Sequence, residues 1–181
     1  MLIGTWGRRT GELAGRIADE VKVGGSANPA MVAVMRRHVG AGAGSIGRDP
    51  DDVGIVLGAV SVVDEDGERA RERARVEVAM YLAVVAGLDP TFVVQPEVLE
   101  PVRKLVDAGE YEQAGRFVPD DVLDRFAFSG TPEHVAALVN AVLAAGATRV
   151  DLGTPHGLTD EGGIDLIGRR VLPLVRSGVA S

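Results

Sequence analysis

The sequence predicts an α/β fold on a parallel sheet, as one domain over residues 1–181. Two observations predict it. Four short runs, Leu2 to Thr5, Val21 to Gly24, Val53 to Val63 and Arg149 to Gly153, are β-branched or aliphatic. They mostly lack alternation, as strands covered on both faces do. Each is followed by a segment with helical periodicity, and strand then helix, repeated four times, marks parallel strands joined by helical crossovers.

The first helix, Arg9 to Ala18, puts Leu13, Ala14 and Ile17 on one stripe. The second, Pro29 to Ala43, opens with Asn28 as cap and Pro29 at the first helical position. Its Met31, Val32, Met35 and Val39 share a face. A third helix, Gly67 to Ala86, begins after Asp66; another, Pro132 to Ala145, begins after the cap Thr131 and ends at Gly146. The last spans Asp160 to Val175. Between Gly87 and Ser129, Asp89-Pro90, Gln95-Pro96, Pro101 and Pro119 punctuate the chain. This stretch reads as a helical insertion of two or three short helices with no strand, too small for a core of its own. Glu68–Arg71 and Glu72–Arg75 stand at i,i+3 spacing; they read as a solvated helix face rather than an anion-binding one.

Composition narrows the function. With 26 acidic against 19 basic residues the net charge is −7, which argues against nucleic acid as a partner. One Trp, two Tyr and four Phe are too few for a base-stacking platform. The lack of cysteine excludes disulfides, thiolate ligands and a thiol nucleophile, and three dispersed histidines give no metal spacing. No apolar run reaches the 18 or so residues of a membrane span. Met1 leads straight into Leu-Ile-Gly-Thr without a basic region or cleavage site, so the expected compartment is the cytoplasm. The 24 glycines, many just after apolar runs, point to a small-molecule protein.

A closed βα-repeat barrel takes eight strands and typically about 250 residues. Four units make half of one. An open four-stranded sheet leaves two unpaired edges, which predicts self-association unless they are covered.

Ligands in parallel α/β folds bind at the carboxyl ends of strands. Three such ends are small and backbone-exposing: Gly4-Thr5-Trp6-Gly7-Arg8-Arg9, Gly24-Gly25-Ser26-Ala27-Asn28-Pro29 and Gly153-Thr154-Pro155-His156-Gly157. Each can aim main-chain N–H groups at an anion, and Arg8 and Arg9 add guanidinium forks. No P-loop and no G-x-G-x-x-G after a strand is present. Trp6 is placed either to wall a ring system or to pack beneath its loop. His156 reads as a proton donor or polar contact, or as a loop histidine bonded to its own turn. His38 and His134 read as surface residues. Asp19 and Glu20 lie at the opposite rim, suited to closing a helix end or pairing with an arginine. Thr5, Ser26 and Thr154 form no Ser-His-Asp arrangement, and no catalytic residue is assigned.

The segments Gly4-Thr5-Trp6-Gly7-Arg8-Arg9-Thr10, Val21-Lys22-Val23-Gly24-Gly25-Ser26-Ala27-Asn28-Pro29, Gly47-Arg48-Asp49-Pro50, Phe128-Ser129-Gly130-Thr131-Pro132-Glu133 and Gly153-Thr154-Pro155-His156-Gly157 carry a likeness. In this order they resemble the luciferase-like oxidoreductases, within them the subgroup similar to methylenetetrahydromethanopterin reductase. That resemblance implies the C-terminal half of a TIM-type (β/α)8 barrel and a cofactor, coenzyme F420 or alternatively FMN. Thr5, Gly7, Arg8, Gly24, Gly25 and Ser26 would hold its phosphate-bearing tail, with Trp6, Thr154 and His156 on the rim. It implies hydride transfer to, or monooxygenation of, a small organic substrate, the protein orienting reacting atoms about 3–3.5 Å apart. Arg8 stands where many relatives have Pro, and Glu20 where many have Gly, which leaves the cofactor choice open. A homo-oligomer or a separate N-terminal half is the expected partner, and weak or no turnover is expected of these residues alone. The competing readings are a non-catalytic module that self-associates through its sheet edges, and a phosphate-ligand protein with a flavodoxin-like sheet.

Overall fold

The computed structural model describes residues 1–176. Its elements are β1 (Leu2–Gly4), α1 (Arg8–Ile17), β2 (Glu20–Gly24), α2 (Ala30–Gly44), β3 (Gly54–Val63) and α3 (Gly67–Val85). There follow α4 (Pro96–Asp107), α5 (Tyr111–Gly115), α6 (Asp120–Phe126), β4 (Ala127–Gly130), α7 (Pro132–Ala144), β5 (Arg149–Gly157) and α8 (Asp160–Leu166). Local chemistry sets several starts: Asp66 accepts from the Arg69 N–H, and Thr131 from the His134 N–H. The last helix does not run unbroken to Val175. It passes into a π turn at Ile167–Val171 and a 3-10 turn at Leu172–Leu174, where Pro173 supplies no N–H to continue the ladder.

All strands pair in parallel. β1 lies beside β2, β2 beside the first half of β3 (Gly54 to Gly58), and β5 along most of the other side of β3. At Gly24 β2 leaves the sheet, and β4 takes its place beside Val60 to Val63. The described residues thus hold five strands, not four, and the expected strand-free insertion ends in β4. Its four residues Ala-Phe-Ser-Gly are too short for periodicity to show, yet every one is buried. β5 also runs on through Thr154, Pro155 and His156 to Gly157, with a register shift opposite Val60 to Val62.

The sheet is not covered on both faces as expected. Val21, Val23, Ile55 and Leu57 turn to one face and are fully buried with α1, α2 and α7. On the other, α3 to α6 cover only the upper part, where Val62 joins Ala74, Leu82 and Phe126 in a second cluster. Below it Glu20, Lys22, Arg149 and Asp151 remain partly exposed, Glu20 pairing with Arg149 at 2.8 Å and Lys22 with Asp151. Glu20-Val21-Lys22-Val23 therefore does alternate, and β2 begins one residue earlier than expected.

Two arginines of α3 act across elements, while Arg73 pairs with Glu77 and Arg75 with Glu68 along the helix. Arg71 reaches Asp120 at 3.0 Å and Asp124 at 2.7 Å, and Arg75 pairs with Asp120, fastening α6 to α3. These contacts replace the expected i,i+3 pairs: Arg71 and Arg75 are under 20% exposed, while Glu68, Arg69, Glu72 and Arg73 keep to the solvated face expected of the segment. His134 belongs to the same group, 3.5 Å from Asp124.

His38 also departs from expectation, being half-buried against α1 with its Nδ1 enclosed and unpartnered. Burial holds this imidazole below its ordinary value; Arg37 and Arg8 push the same way and Glu12 opposes them. Its unfolded counterpart binds protons below roughly pH 6.5, so stability is full above that pH and falls as pH drops through the depressed folded value. Carboxylates held low by cations, such as Asp120 and Asp151, act in the more acidic range. His38→Gln is expected to flatten the pH dependence of the denaturation midpoint below about pH 6.5. An unchanged slope in urea titrations would refute this.

Candidate functional site

Because β1, β2, β3 and β5 are parallel, their carboxyl ends open on one rim. Trp6 ties two of its loops together: the indole Nε1–H donates to the Gly24 carbonyl at 2.9 Å, and the ring packs against both core clusters. Thr5 N–H donates to Lys22 O at 2.9 Å, while the Thr5 hydroxyl accepts from Gly7 N–H at 3.0 Å. Arg8 starts α1 with its side chain 78% exposed and its Nε donating to Glu12 at 2.6 Å. The first turn of α1, whose N–H groups have no helical acceptor, opens beside this loop.

The second loop is built differently from expectation. Gly25 takes φ +78°, and its N–H and that of Ser26 both donate to the Gly58 carbonyl, at 2.6 and 3.1 Å. Ser26 is fully buried, its hydroxyl accepting from Asn28 N–H at 3.2 Å. These amides hold the point where β2 turns away from β3, so they are not free for a ligand. Asn28 is not the cap expected, since α2 starts at Ala30 with Pro29 as its N-cap; its Nδ2 donates to Asp89 and Thr91, and its Oδ1 accepts from Ala30 N–H and Arg125, anchoring the insertion.

A cavity of about 410 Å³ lies against this rim. Gly24 and Gly25 line it from the end of β2, Gly153 and Thr154 from within β5, Lys22, Gly58 and Asp151 from the strands, and Tyr81 and Val85 from α3. Tyr81 is a fixed wall. Its hydroxyl donates to the Phe126 carbonyl at 2.5 Å, and burial, helped by Glu77, pushes the phenol upward so that it stays protonated. A Cβ at Gly58 would lie 2.8 Å from Lys22 Cε and 2.9 Å from Asp151 Cβ, so glycine there lets the Lys22–Asp151 pair cross β3. Lys22 in turn holds the Asp151 carboxyl below its usual range. A larger groove of about 830 Å³ runs between α3 and α5–α6; its charged lining includes the Arg75–Asp120 pair, and none of the three glycine loops reaches it.

Of the expected residues, the structure gathers Gly24, Gly25 and Thr154 at the cavity, with Trp6 one hydrogen bond away. Thr5, Gly7 and Arg8 stand on the same rim outside its wall. His156 lies within β5 rather than in a turn after it, paired with Val62 at φ 76° and crossed closely by Gly163 of α8. Its Nδ1 is enclosed without a partner.

Residues 1–149 match the luciferase-like monooxygenase family. The chain belongs to that family. It is 31% identical over 176 residues to a 5,10-methylenetetrahydromethanopterin reductase of Methanolobus tindarius, covering 94% of this chain and 52% of that protein. It is 30% identical to the reductase of the same name from Archaeoglobus fulgidus, over 96% of this chain and 54% of the other. The solved coenzyme F420-dependent tetrahydromethanopterin reductase of Methanopyrus kandleri superposes with a TM-score of 0.85 at 26% identity, over 97% of this chain and 50% of that one. This luciferase-like chain thus spans about half the length of the curated relatives it matches.

Sequence reasoning missed Lys22, Asp151, Gly58 and Tyr81 as parts of the candidate site. For the first three a signal existed: a charge inside each of two apolar strands, and a glycine midway along a third. For Tyr81 none did, since only the tertiary fold carries the end of α3 over the rim.

Proposed function

We propose that this chain is the cofactor-holding half of an F420-dependent oxidoreductase that transfers a hydride to a small organic substrate. Its arc of strands would be half of a TIM-type barrel. One observation carries the reading: glycines from β2, β3 and β5 clear the floor and rim of a single cavity, in a chain whose relatives include F420-dependent reductases.

The cavity fits a flat, polar-edged ring. Tyr81, Val85 and Val60 offer an apolar wall, and Lys22 and Asp151 offer a donor and an acceptor at its floor. The first turn of α1, with Arg8, suits the phosphate-bearing tail. The deazaflavin ring, when bound, supplies the hydride. The chain's own residues bind and orient. Trp6 fixes the tail-side loop to Gly24, Tyr81 excludes water, and Asp151 keeps the Lys22 ammonium directed into the pocket. No side chain acts as a nucleophile.

Fluorescence titration with F420, and in parallel with FMN, tests this. The expected result is saturable micromolar binding of F420 that weakens at least tenfold in Val85→Lys. No change with either cofactor would overturn the reading, and FMN binding alone would reassign the cofactor. Steady turnover is not expected of these 181 residues by themselves, because one copy supplies only half of the proposed barrel.

A further inference from the structure

We propose that the Lys22–Asp151 pair reads the imide edge of the bound ring, an N–H flanked by carbonyls, and so fixes which end of the ring lies at the cavity floor. This rests on the cofactor reading and adds to it a recognition element and an orientation. The two residues belong to β2 and β5, with β3 between them. They meet because Gly58 of β3 places no side chain where they cross. Glycine inside a central strand weakens it, and an ion pair whose side chains are 32% and 41% exposed contributes little stability. Folding alone gives no reason for the arrangement; a ligand does.

Most other polar groups of the lining are already engaged. The Tyr81 hydroxyl donates to the Phe126 carbonyl, the Gly25 N–H to the Gly58 carbonyl, and the Gly24 carbonyl accepts from the Trp6 indole. Val60, Val85 and the Tyr81 ring are apolar, which leaves the Thr154 hydroxyl at the rim and the pair at the floor. Among the described residues, Lys22 uses one of its three N–H donors, on Asp151 Oδ2, and Asp151 Oδ1 accepts from none. Lys22 first, and Arg149 beside it, hold the Asp151 carboxyl low, so it stays an acceptor.

That pattern selects the chemistry of the edge placed on it. An anion is repelled by the Asp151 carboxylate and a cation by the Lys22 ammonium. A purely apolar ring would cover both charges and leave their remaining hydrogen bonds unmade. What fits is a neutral edge with an N–H beside a C=O, the N–H donating to Asp151 and the C=O accepting from Lys22 in charge-assisted hydrogen bonds. Deazaflavin and flavin rings both carry such an edge in their pyrimidinedione, so the pair recognises the ring class rather than one cofactor over the other. The rest of the molecule then extends toward the rim, where Arg8 opens α1.

Fluorescence titration of the chain with F420, with FMN, and with the analogue of each that is methylated at the imide nitrogen tests this. The cofactor that binds is expected to do so at least tenfold more tightly than its methylated analogue. In Lys22→Met with Asp151→Leu that ratio should fall to within about twofold, the N–H ring losing affinity while the methylated one keeps its own. Equal binding of the two forms by the wild type overturns the proposal, as does a folded double variant that keeps the tenfold ratio. A wild-type chain that binds neither form removes the cofactor reading and this inference together, whereas binding without discrimination removes the inference alone. If the variant loses its circular dichroism, the wild-type ratio decides.

Discussion

Replacing Gly42 by valine is expected to destabilise the fold by about 3 kcal/mol or more, because α1 and α2 cross there backbone to backbone. A Cβ at Gly42 would sit 1.8 Å from the Glu12 carbonyl oxygen and 2.6 Å from its carbon, atoms that cannot rotate away. The mirror contact is as tight: a Cβ at Gly15 would lie 2.2 Å from Val39 O. Relief requires the helices to separate, which loosens Ala14, Met35 and Val39 in the core beneath. For a chain of this size the loss corresponds to a drop of roughly 10 °C in Tm. Gly40 is the control. A Cβ there meets nothing within 4 Å, so Gly40→Ala should gain up to about 1 kcal/mol from helix propensity. Thermal denaturation of the two variants decides; a Gly42→Val protein as stable as the wild type would contradict the crossing as described.

The second large effect concerns ligand binding. Gly58→Val should abolish F420 binding in the titration above, a loss of at least a hundredfold, or about 2.7 kcal/mol. Its side chain would occupy the point where Lys22 and Asp151 meet, pushing both into the cavity. The pair is partly exposed, so breaking it costs little stability by itself. The overlap with the Asp151 carbonyl, 3.3 Å from the new Cβ, adds some strain between β3 and β5. The variant should therefore stay folded at room temperature while losing the ligand. A folded Gly58→Val protein that binds F420 like the wild type would remove the cavity from the proposed function.

What the sequence made legible was whatever short-range chemistry decides. Asp66 and Thr131 announce α3 and α7 because a cap is read from a few neighbouring residues. β1, β2 and β3 show as apolar runs bounded by glycine. The strand that escaped notice, β4, owes its form to the gap β2 leaves along β3, a tertiary fact with no local trace. The upper half of β5 was hidden because Thr154-Pro155-His156 reads as a turn, whereas pairing with Val62 and Val63 keeps it in the sheet. At the site, the likeness of Gly24-Gly25 and Gly153-Thr154 to ligand loops led to the right rim. Which amides are free depended on long-range partners instead. Gly25 and Ser26 spend theirs on Gly58, more than thirty positions away in the chain.

The exchange of neighbours along β3 has a mechanical result. Since β2, β4 and β5 together grip this strand from both sides, no part of it can peel off without first detaching another element. Local fluctuations must begin at the periphery and stop short of it, so the Ile55 to Val62 amides should be the last to surrender their hydrogens to solvent, setting the floor on which every looser motion of the rim takes place.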